Sequence, residues 1–415
     1  MTLRLIIYDF FLVLLSPFIA LFFLLHALFD SKVREGNLYR LGLKMPPKPG
    51  RASVWIHAVS VGEINGIKQF IEFIRIAGRY DIYLSTTTAT GFTAAKKTYG
   101  DSVTLFYFPF DFPLLPGRIL NRIRPEKMII AEIEIWPNFI AAVTRRNIPL
   151  SLINARIGLK ELRGYTKARW FFRPFYRCYK HLLAQSAHDK KNMVTIGMPA
   201  EDISVSGNVK YDVTYTMDAA KIESTRARIP KGKIVIVAGS THETEESAIF
   251  DAVLKLNRND IFLVIVPRDI SRGAEIRTIA QSRGMAASLF TGSTQDSGTL
   301  IVNAIGELIY FYEIADIAIM GGSFSPAVGG HNFLEALYFK KPVIVGPCMH
   351  NFRDMDDFFS AENGIIKTAS TDSLADSLAG LLADRAHADS VGRHGHDLLM
   401  QSRGASERTF KTIFG

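Results

Sequence analysis

Three stretches of this sequence place acidic side chains or glycines where an apolar run gives way to a helix-like segment. In the first, VWIHAVSVGEINGIK over residues 54–68, Ser60 and Glu63 have the S-x-x-E spacing of a helix capping box. A carboxylate directly after a strand is also well placed to act as a general base. The spacing leaves both interpretations open, a helix cap and a catalytic base.

The second stretch is AGSTHETEESAIF, where an apolar run ends in Gly239, Ser240 and Thr241 before an acidic helix start. Small and hydroxyl residues before a helix N-terminus suit a phosphate, because free N–H groups and the helix dipole point towards it. Ser240 and Glu243 also have capping-box spacing. Phosphate binding and capping are both compatible with this segment.

The third stretch, MGGSFSPAVGGHNFLEALYF, contains four glycines, among them Gly322 and Gly330, that allow the backbone to approach a ligand closely. Asn332 and Glu335 follow on one helical turn, and a carboxylate there can accept both hydroxyls of a ribose. The same pair has the spacing of an N-cap and its N3 acid. The position after a strand favours nucleotide binding.

Two further clusters have a composition suited to chemistry. Glu132 and Glu134, in AEIEIWPN, lie two residues apart, and neighbouring acids can separate their pKa values into an acid and a base. They can equally be exposed surface acids. Residues 155–191 interleave basic with aromatic side chains, which suits an anionic membrane surface or a phosphorylated amphiphile. A helix pair with a solvated basic face is the alternative.

The elements that must position these residues alternate between strand-like and helix-like segments. At 415 residues the chain exceeds what one hydrophobic core normally serves, so two domains are expected. Apolar runs predict parallel strands in βαβ units, and the pattern restarts near residue 231. We predict an α/β fold with doubly wound sheets, a first domain over residues 31–206 and a second over residues 207–415. The runs are SVWIHAV, DIYLSTT, KMIIAEI, IPLSLINA, KIVIVAGS, IFLVIVPR, TLIVNA, ADIAIMGG and KPVIVGP.

The N-terminal segment, residues 5–29, is the most apolar part of the sequence, with Asp9 and His26 as its titratable interruptions. Its length is enough to cross a bilayer core, and more basic residues follow it than precede it. We therefore predict a membrane anchor over residues 1–30, with the body of the protein at the cytoplasmic face. A buried helix, or one lying in the membrane interface, is the alternative.

The net charge of +9 and the pI near 9.4 admit acidic partners such as nucleic acid, anionic lipid or a phosphorylated substrate. The two cysteines, Cys178 and Cys348, form no disulfide framework and no CxxC metal spacing. We expect no metal and no cofactor.

Nine motifs in order along the chain resemble those of the Kdo transferases of lipopolysaccharide synthesis, which move 3-deoxy-D-manno-octulosonic acid (Kdo) from a CMP donor to the lipid A precursor. The motifs are HAVSVGE, STTTATGFTAA, FPFDFP, AEIEIWPN, INARI, SGNVKYD, GSTHETEE, GEL and GGSFSPAVGGHNFLEA. The resemblance implies a glycosyltransferase fold of the B type, with two Rossmann-like domains facing a cleft, anomeric inversion without a metal, and location at the inner membrane. Its partners would be CMP-Kdo, the lipid A precursor (lipid IVA) and an anionic membrane surface, and not nucleic acid.

The resemblance also assigns roles to individual residues. Glu63 corresponds to the general base and Glu132 to an acid that supports catalysis. The predicted donor-binding residues are Lys210, Gly239, Ser240, Thr241, Arg268, Gly322, Gly330, Asn332 and Glu335. The predicted acceptor-binding residues are Ser60, Gly62, Asn154 and Arg156.

Two other functions remain compatible with the same sequence. A nucleotide-sugar epimerase on the same two-domain fold would need no membrane anchor. A non-catalytic, membrane-bound protein that binds anionic lipid would release no CMP from CMP-Kdo, and its binding would be sensitive to salt.

Overall fold

The computed structural model describes residues 2–29, 31–292 and 297–415. The strands in this part of the chain are all paired in parallel. They are β1 (Ser53–His57), β2 (Asp81–Thr86), β3 (Thr104–Tyr107), β4 (Lys127–Ala131), β5 (Leu150–Ala155), β6 (Tyr179–Ala184), β7 (Ile203–Val205), β8 (Ile234–Thr241), β9 (Ile261–Pro267), β10 (Ala287–Leu289), β11 (Thr299–Ile301), β12 (Ile317–Met320), β13 (Val343–Val345) and β14 (Ile366–Lys367).

Helices alternate with these strands, as parallel connections require. They are α1 (Thr2–Phe29), α2 (Ser31–Arg40), α3 (Val61–Gly66), α4 (Lys68–Ala77), α5 (Ala89–Tyr99), α6 (Leu115–Ile123), α7 (Pro137–Thr144), α8 (Leu159–Lys167), α9 (Arg169–Tyr176), α10 (Ala187–Thr195), α11 (Ala219–Arg226), α12 (Glu245–Lys255), α13 (Gly273–Ser282), α14 (Leu308–Ile314), α15 (Leu334–Tyr338), α16 (Arg353–Ala361), α17 (Leu374–Ala383), α18 (Arg385–Ser402) and α19 (Ala405–Phe414).

The chain divides into two compact units, the first of residues 1–212 and 402–415, the second of residues 213–401. The first unit therefore extends past the predicted boundary at residue 206, and it also includes the C-terminal helix α19. Asp212 holds this helix on the first unit, because its carboxylate accepts hydrogen bonds from the backbone N–H groups of Gly404 (2.6 Å) and Ser406 (2.5 Å) at the start of α19. The two parallel-sheet α/β units confirm the predicted fold class.

The described strands of the first unit form one sheet in the order β3-β2-β1-β4-β5-β6-β7. Its central strands are buried on both faces, so alternate side chains enter different cores. Trp55 packs in one core, whereas Val54 and Ile56 pack in the other. The strand order reverses between β1 and β4, which makes their carboxyl ends the switch point of this sheet.

The second unit has a sheet of the same kind, in the order β10-β11-β9-β8-β12-β13-β14 over its described residues. Ile236, Ile265 and Ile319 from its central strands lie in one core with helices α12 and α17. The order reverses between β8 and β12. The second switch point therefore lies at the carboxyl ends of these two strands.

Helix α1 covers the segment that we predicted to be an anchor. Leu5 is buried in a core of the first unit, and Asp9 accepts a hydrogen bond from the Asn138 side chain at 2.6 Å. In the part of the chain that the structure describes, no helix combines the length and the apolar character needed to span a membrane. The membrane anchor over residues 1–30 stays a prediction.

Candidate active site at the two switch points

Strands β1 and β4 are neighbours in the first sheet, with Ile56 paired to Ile129, and each is followed by acidic residues. Glu63 comes shortly after β1, in the first turn of α3, and Glu132 comes directly after β4. Ligands of open α/β sheets bind outside the carboxyl ends of strands where the strand order reverses. The fold thus brings acids that are distant in sequence to the expected ligand position.

The capping box predicted at Ser60 and Glu63 is confirmed. The Ser60 hydroxyl accepts a hydrogen bond from the Glu63 N–H at 3.3 Å, and the Glu63 carboxylate accepts from the N–H groups of Ser60 (3.2 Å) and Val59 (2.7 Å). These contacts fix the carboxylate in place and use one acceptor position on each oxygen. Because a carboxylate oxygen has two lone pairs, capping leaves Glu63 able to accept a proton.

Burial raises the pKa of Glu63 above its ordinary value, and the negative charge of Glu132 raises it further. The backbone N–H of Val59, the Ser60 side chain and the Lys210 ammonium act in the opposite direction. A general base is most effective when its pKa approaches the working pH. The surroundings of Glu63 therefore move its pKa in the direction that suits a base.

Glu132 is held by an ion pair with Lys210, whose ammonium nitrogen lies 2.8 Å from the carboxylate. Both side chains are about three-quarters buried, with 24% of the Glu132 side chain and 28% of the Lys210 side chain exposed. The backbone of Glu132 is left-handed, with a φ of 59°, a strained conformation of the kind found at functional sites. Lys210, predicted to bind the donor, lies in the first unit, and a contact with the donor remains a prediction.

Asn154 explains how Lys210 reaches this position. Its side-chain oxygen accepts a hydrogen bond from the Val209 N–H at 3.1 Å, directly before Lys210. Asn154 has a φ of 52°, which asparagine tolerates better than most residues, and it lies where the pairing of β5 with β6 is irregular. Only 2% of the residue is exposed. Asn154 therefore makes a positioning contact, and its binding to the acceptor stays a prediction.

Glu134 is the third acid of this cluster. Burial, followed by the negative charge of Glu63, raises the pKa of Glu134 to about 7. The paired acids Glu132 and Glu134 thus differ in surroundings, since Glu132 has a lysine partner and Glu134 is shifted towards its neutral form. The sequence indicated Glu132 and Glu134 as a pair, but only the fold shows that Glu63 lies near them. Of the other predicted acceptor residues, Ser60 and Arg156 are half-buried and Gly62 is exposed.

At the second switch point, the segments after β8 and β12 approach each other closely. A Cβ on Gly321 would lie 2.4 Å from the Ser240 carbonyl oxygen, so only glycine fits there. Gly322 and Gly330 have left-handed backbones, and the Gly330 N–H donates to the Gly322 carbonyl at 2.8 Å. The predicted glycine-rich loop is therefore a compact turn held by its own backbone.

Glu245 joins these two segments. Its carboxylate accepts hydrogen bonds from the N–H groups of His242 (2.9 Å), Gly322 (2.7 Å) and Phe324 (3.0 Å). Only 2% of the residue is exposed. The capping box predicted at Ser240 and Glu243 is wrong, because α12 begins at Glu245. The sequence showed a run of acids here, but not which of them is buried.

Glu246 has a similar structural role. It accepts from the Thr241 hydroxyl at 3.0 Å and from Arg272 at 2.9 Å, and 1% of its side chain is exposed. Thr241 is fully buried, so its hydroxyl is used in this contact. Gly239 is also needed for packing, since an added Cβ would lie 2.1 Å from the Tyr312 hydroxyl. Of the predicted phosphate-binding residues here, Ser240 alone is half-buried with a φ of 58°.

Polar side chains gather around this turn. The Nε2 atoms of His242 and His331 lie 2.7 Å apart, so one ring donates and the other accepts. Burial, together with the charges of His242 and Arg268, lowers the pKa of His331 to about 4. Burial raises the pKa of Glu335 to about 7, opposed by Arg268. The exposed Arg268 therefore lies close enough to both residues to influence their pKa values, and its contact with the donor stays a prediction.

The predicted cap at Asn332 and Glu335 forms only in part. Asn332 accepts a hydrogen bond from the Leu334 N–H at 3.1 Å, at the start of the short helix α15. Glu335 lies in the first turn of α15 and is half-buried. Across residues 2–29, 31–292 and 297–415, no group of three or more His, Cys, Asp and Glu side chains could hold a metal ion.

The fold places this chain among α/β proteins with two doubly wound units. A UDP-GlcNAc 2-epimerase from Neisseria meningitidis bound to UDP-GlcNAc has a TM-score of 0.58 and 14% identity, covering 87% of this chain and 99% of that one. A glycosyltransferase from Rickettsia africae has the same score and identity, covering 88% and 97%. At this identity the likeness shows the fold alone.

Sequence comparison identifies the family. Residues 36–213 match the family described as 3-deoxy-D-manno-octulosonic-acid transferase (Kdo transferase). The 3-deoxy-D-manno-octulosonic acid transferase of Haemophilus influenzae is 30% identical, over 97% of this chain and 96% of its own length. The chain belongs to the Kdo transferase family, and it is a glycosyltransferase. The resemblance drawn from the nine motifs is confirmed.

Proposed function

We propose that this glycosyltransferase moves Kdo from CMP-Kdo to the tetraacylated lipid A precursor lipid IVA, with inversion at the anomeric carbon. The observation that carries the proposal is the position of Glu63. This carboxylate lies at the switch point of the first sheet, held by two backbone N–H groups, with a pKa raised by burial and by Glu132. A base fixed at that place is what an inverting transfer requires.

The reaction balances with one proton acceptor and one leaving group. Glu63 takes the proton of the acceptor hydroxyl while the hydroxyl oxygen forms a bond to the anomeric carbon of Kdo. On the opposite face the bond from that carbon to the phosphate oxygen breaks, and the electron pair leaves with CMP. The negative charge of Glu132 raises the pKa of Glu63 and strengthens it as a base, while the Lys210 ammonium paired with Glu132 acts in the opposite direction.

The second unit supplies the donor site in this proposal. The exposed guanidinium of Arg268 is available to the CMP phosphate. Glu335, with a pKa of about 7, can bond to the ribose hydroxyls. Asn332 stabilises the start of the helix from which Glu335 projects.

We also propose that the chain works at the cytoplasmic face of the inner membrane, with α1 lying in the interface. Large apolar side chains on one face of this helix are exposed, at spacings of three and four residues, which is the pattern of an interfacial helix. They include Leu3, Ile6, Phe10, Val13, Leu14 and Phe18. The opposite side is fixed to the protein by Leu5 and Asp9. An acylated acceptor would be found at the same surface.

The proposal is tested with the purified full-length chain, CMP-Kdo and lipid IVA. We expect the lipid product to gain the mass of one or more Kdo residues, with release of an equal number of CMP molecules. Mass spectrometry gives the number added. Absence of any added sugar from a folded, vesicle-bound enzyme would exclude this donor and acceptor. Proton NMR of the product would determine whether the anomeric configuration is inverted.

A further inference from the structure

Three arginine side chains of the first unit, Arg4, Arg173 and Arg177, line one cavity of about 380 Å³ together with Pro174. Arg4 comes from α1, while Arg173 and Arg177 lie four residues apart at the C-terminal end of α9. Side chains at this spacing project from the same face of a helix. The fold therefore brings cations from two separate segments to one concave surface.

None of these arginines takes part in any of the ion pairs found in the described part of the chain. In addition, the Nε–H of Arg4 is buried and has no hydrogen-bond partner among the described residues. A buried donor without a partner costs free energy, and so does the approach of like charges. An anion in the cavity would relieve both, and a phosphate offers several acceptor oxygens in the geometry that guanidinium groups prefer.

The surroundings of the cavity indicate which phosphate compound fits. The Arg4 guanidinium lies 5.9 Å from the ring centre of Trp170, and the tryptophan side chain is 58% exposed. Tryptophan is enriched where an apolar region meets water. The exposed apolar face of α1 begins next to Arg4, at Leu3 and Ile6. A cationic cavity beside an apolar helix face suits an amphiphile, not a free anion or a nucleic acid.

We propose that this arginine cavity binds the headgroup phosphate of an anionic membrane phospholipid, with the acyl chains lying against α1. The cavity is separate from the catalytic cluster, since none of its lining residues is Glu63, Glu132, Glu134 or Lys210. It would fix the depth and orientation of the first unit at the bilayer. The proposal does not depend on sugar transfer, because vesicle binding is measured without donor or acceptor.

The test is sedimentation of the full-length protein with phosphatidylcholine vesicles, with and without phosphatidylglycerol. We expect phosphatidylglycerol to increase binding, and the variant R4Q/R173Q/R177Q to lose about tenfold or more of that binding. The matched control is K68Q/K97Q/R145Q, which removes three exposed positive charges elsewhere in the same unit. The control should bind within about twofold of the wild type. Equal losses in both triple variants would show non-specific attraction and overturn the proposal.

Two further measurements keep the result interpretable. The double variant R173Q/R177Q changes exposed side chains only, so it tests the cavity if the triple variant does not fold by circular dichroism. Inorganic phosphate distinguishes the source of the anion. If inorganic phosphate stabilises the wild type, but phosphatidylglycerol gives no arginine-dependent binding, then the cavity binds free phosphate and the lipid assignment is wrong. Normal vesicle binding with a raised KM for lipid IVA would assign the cavity to the acceptor instead.

Discussion

The two switch points have the same place in their sheets but use their carboxylates differently. In the first unit, Glu63 and Glu134 are partly buried with raised pKa values, and Glu63 keeps acceptor capacity beyond its cap. In the second unit, burial also raises the pKa of Glu245, yet this carboxylate accepts three backbone N–H groups and holds two segments together. The first arrangement suits proton transfer, and the second builds a fixed turn for binding.

The largest expected effect comes from Glu63→Gln. Glutamine can retain one of the two backbone contacts of the cap through its carbonyl oxygen but cannot accept the proton, so transfer should fall by about 100- to 10,000-fold. The free energy of unfolding should change by less than about 1 kcal/mol. Initial rates of Kdo addition and urea unfolding measure the two quantities. Glu72→Gln, an exposed partner of Arg75 in the same unit, is the control and should stay active. Near-normal turnover by Glu63→Gln would show that Glu63 acts only as a helix cap and not as the base.

Glu63→Gln is expected to lose activity with little change in stability. Glu245→Ala, in contrast, should lose a large part of the stability. One buried and two partly buried N–H groups would lose their acceptor, which should lower the free energy of unfolding by about 3 kcal/mol. Glu243→Ala, an exposed acid two residues earlier, should change it by less than about 0.5 kcal/mol. Chemical denaturation of both variants measures the difference. Equal stabilities would mean that Glu245 does not hold the turn.

A smaller, directional effect is expected on the pH profile of kcat/KM. The acidic limb should follow the pKa of Glu63, because the base works only when it is deprotonated. Glu132→Gln removes a negative charge that raises this pKa, so the limb should move to lower pH. Lys210→Gln removes a positive charge that lowers it, so the limb should move to higher pH. Shifts in the same direction for both variants would exclude Glu63 as the titrating base.

The smallest effect concerns His331, whose pKa is lowered from 6.5 to about 4 in the folded chain. Between these pH values the unfolded chain binds more protons at this residue, so its contribution to stability is lost as the pH falls. His331→Gln cannot titrate, and the stability difference between wild type and variant should therefore shrink or reverse from pH 6.5 to pH 4. Urea midpoints at several pH values measure it. A difference independent of pH would contradict the lowered pKa.

The sequence predicted the central strands well, because these strands are continuous apolar runs buried on both faces. SVWIHAV became β1, KMIIAEI became β4 and KIVIVAGS became β8. The strands without such a run, including β3, β7 and β14, were not predicted. β6 was also missed, since it lies within the basic, aromatic segment 155–191. Short strands take their conformation from pairing with a neighbour, and a local pattern does not record that pairing.

Helix capping shows, for single residues, that a local sequence pattern does not record tertiary contacts. The box at Ser60 formed because its backbone is extended, with a φ of −106° and a ψ of 165°, as an N-cap requires. The box at Ser240 did not form because that residue lies within β8, one position before its end, with a left-handed backbone, and α12 begins five residues later. The two segments have the same spacing in sequence. The close approach of Gly321 is the tertiary feature that distinguishes them.

By itself, the sequence determined the α/β class, the family through its ordered motifs and the choice of Glu63 as the candidate base, because these depend on local patterns of residues. The tertiary structure decided which groups act together. Lys210 reaches Glu132 across 78 positions of the chain, and Glu245 reaches Gly322 across 77. Such contacts arise because parallel strands that are distant in sequence end at the same edge of a sheet. The position of each carboxylate at that edge sets its surroundings. These surroundings distinguish Glu63, the proposed base, from Glu245, which holds two segments together.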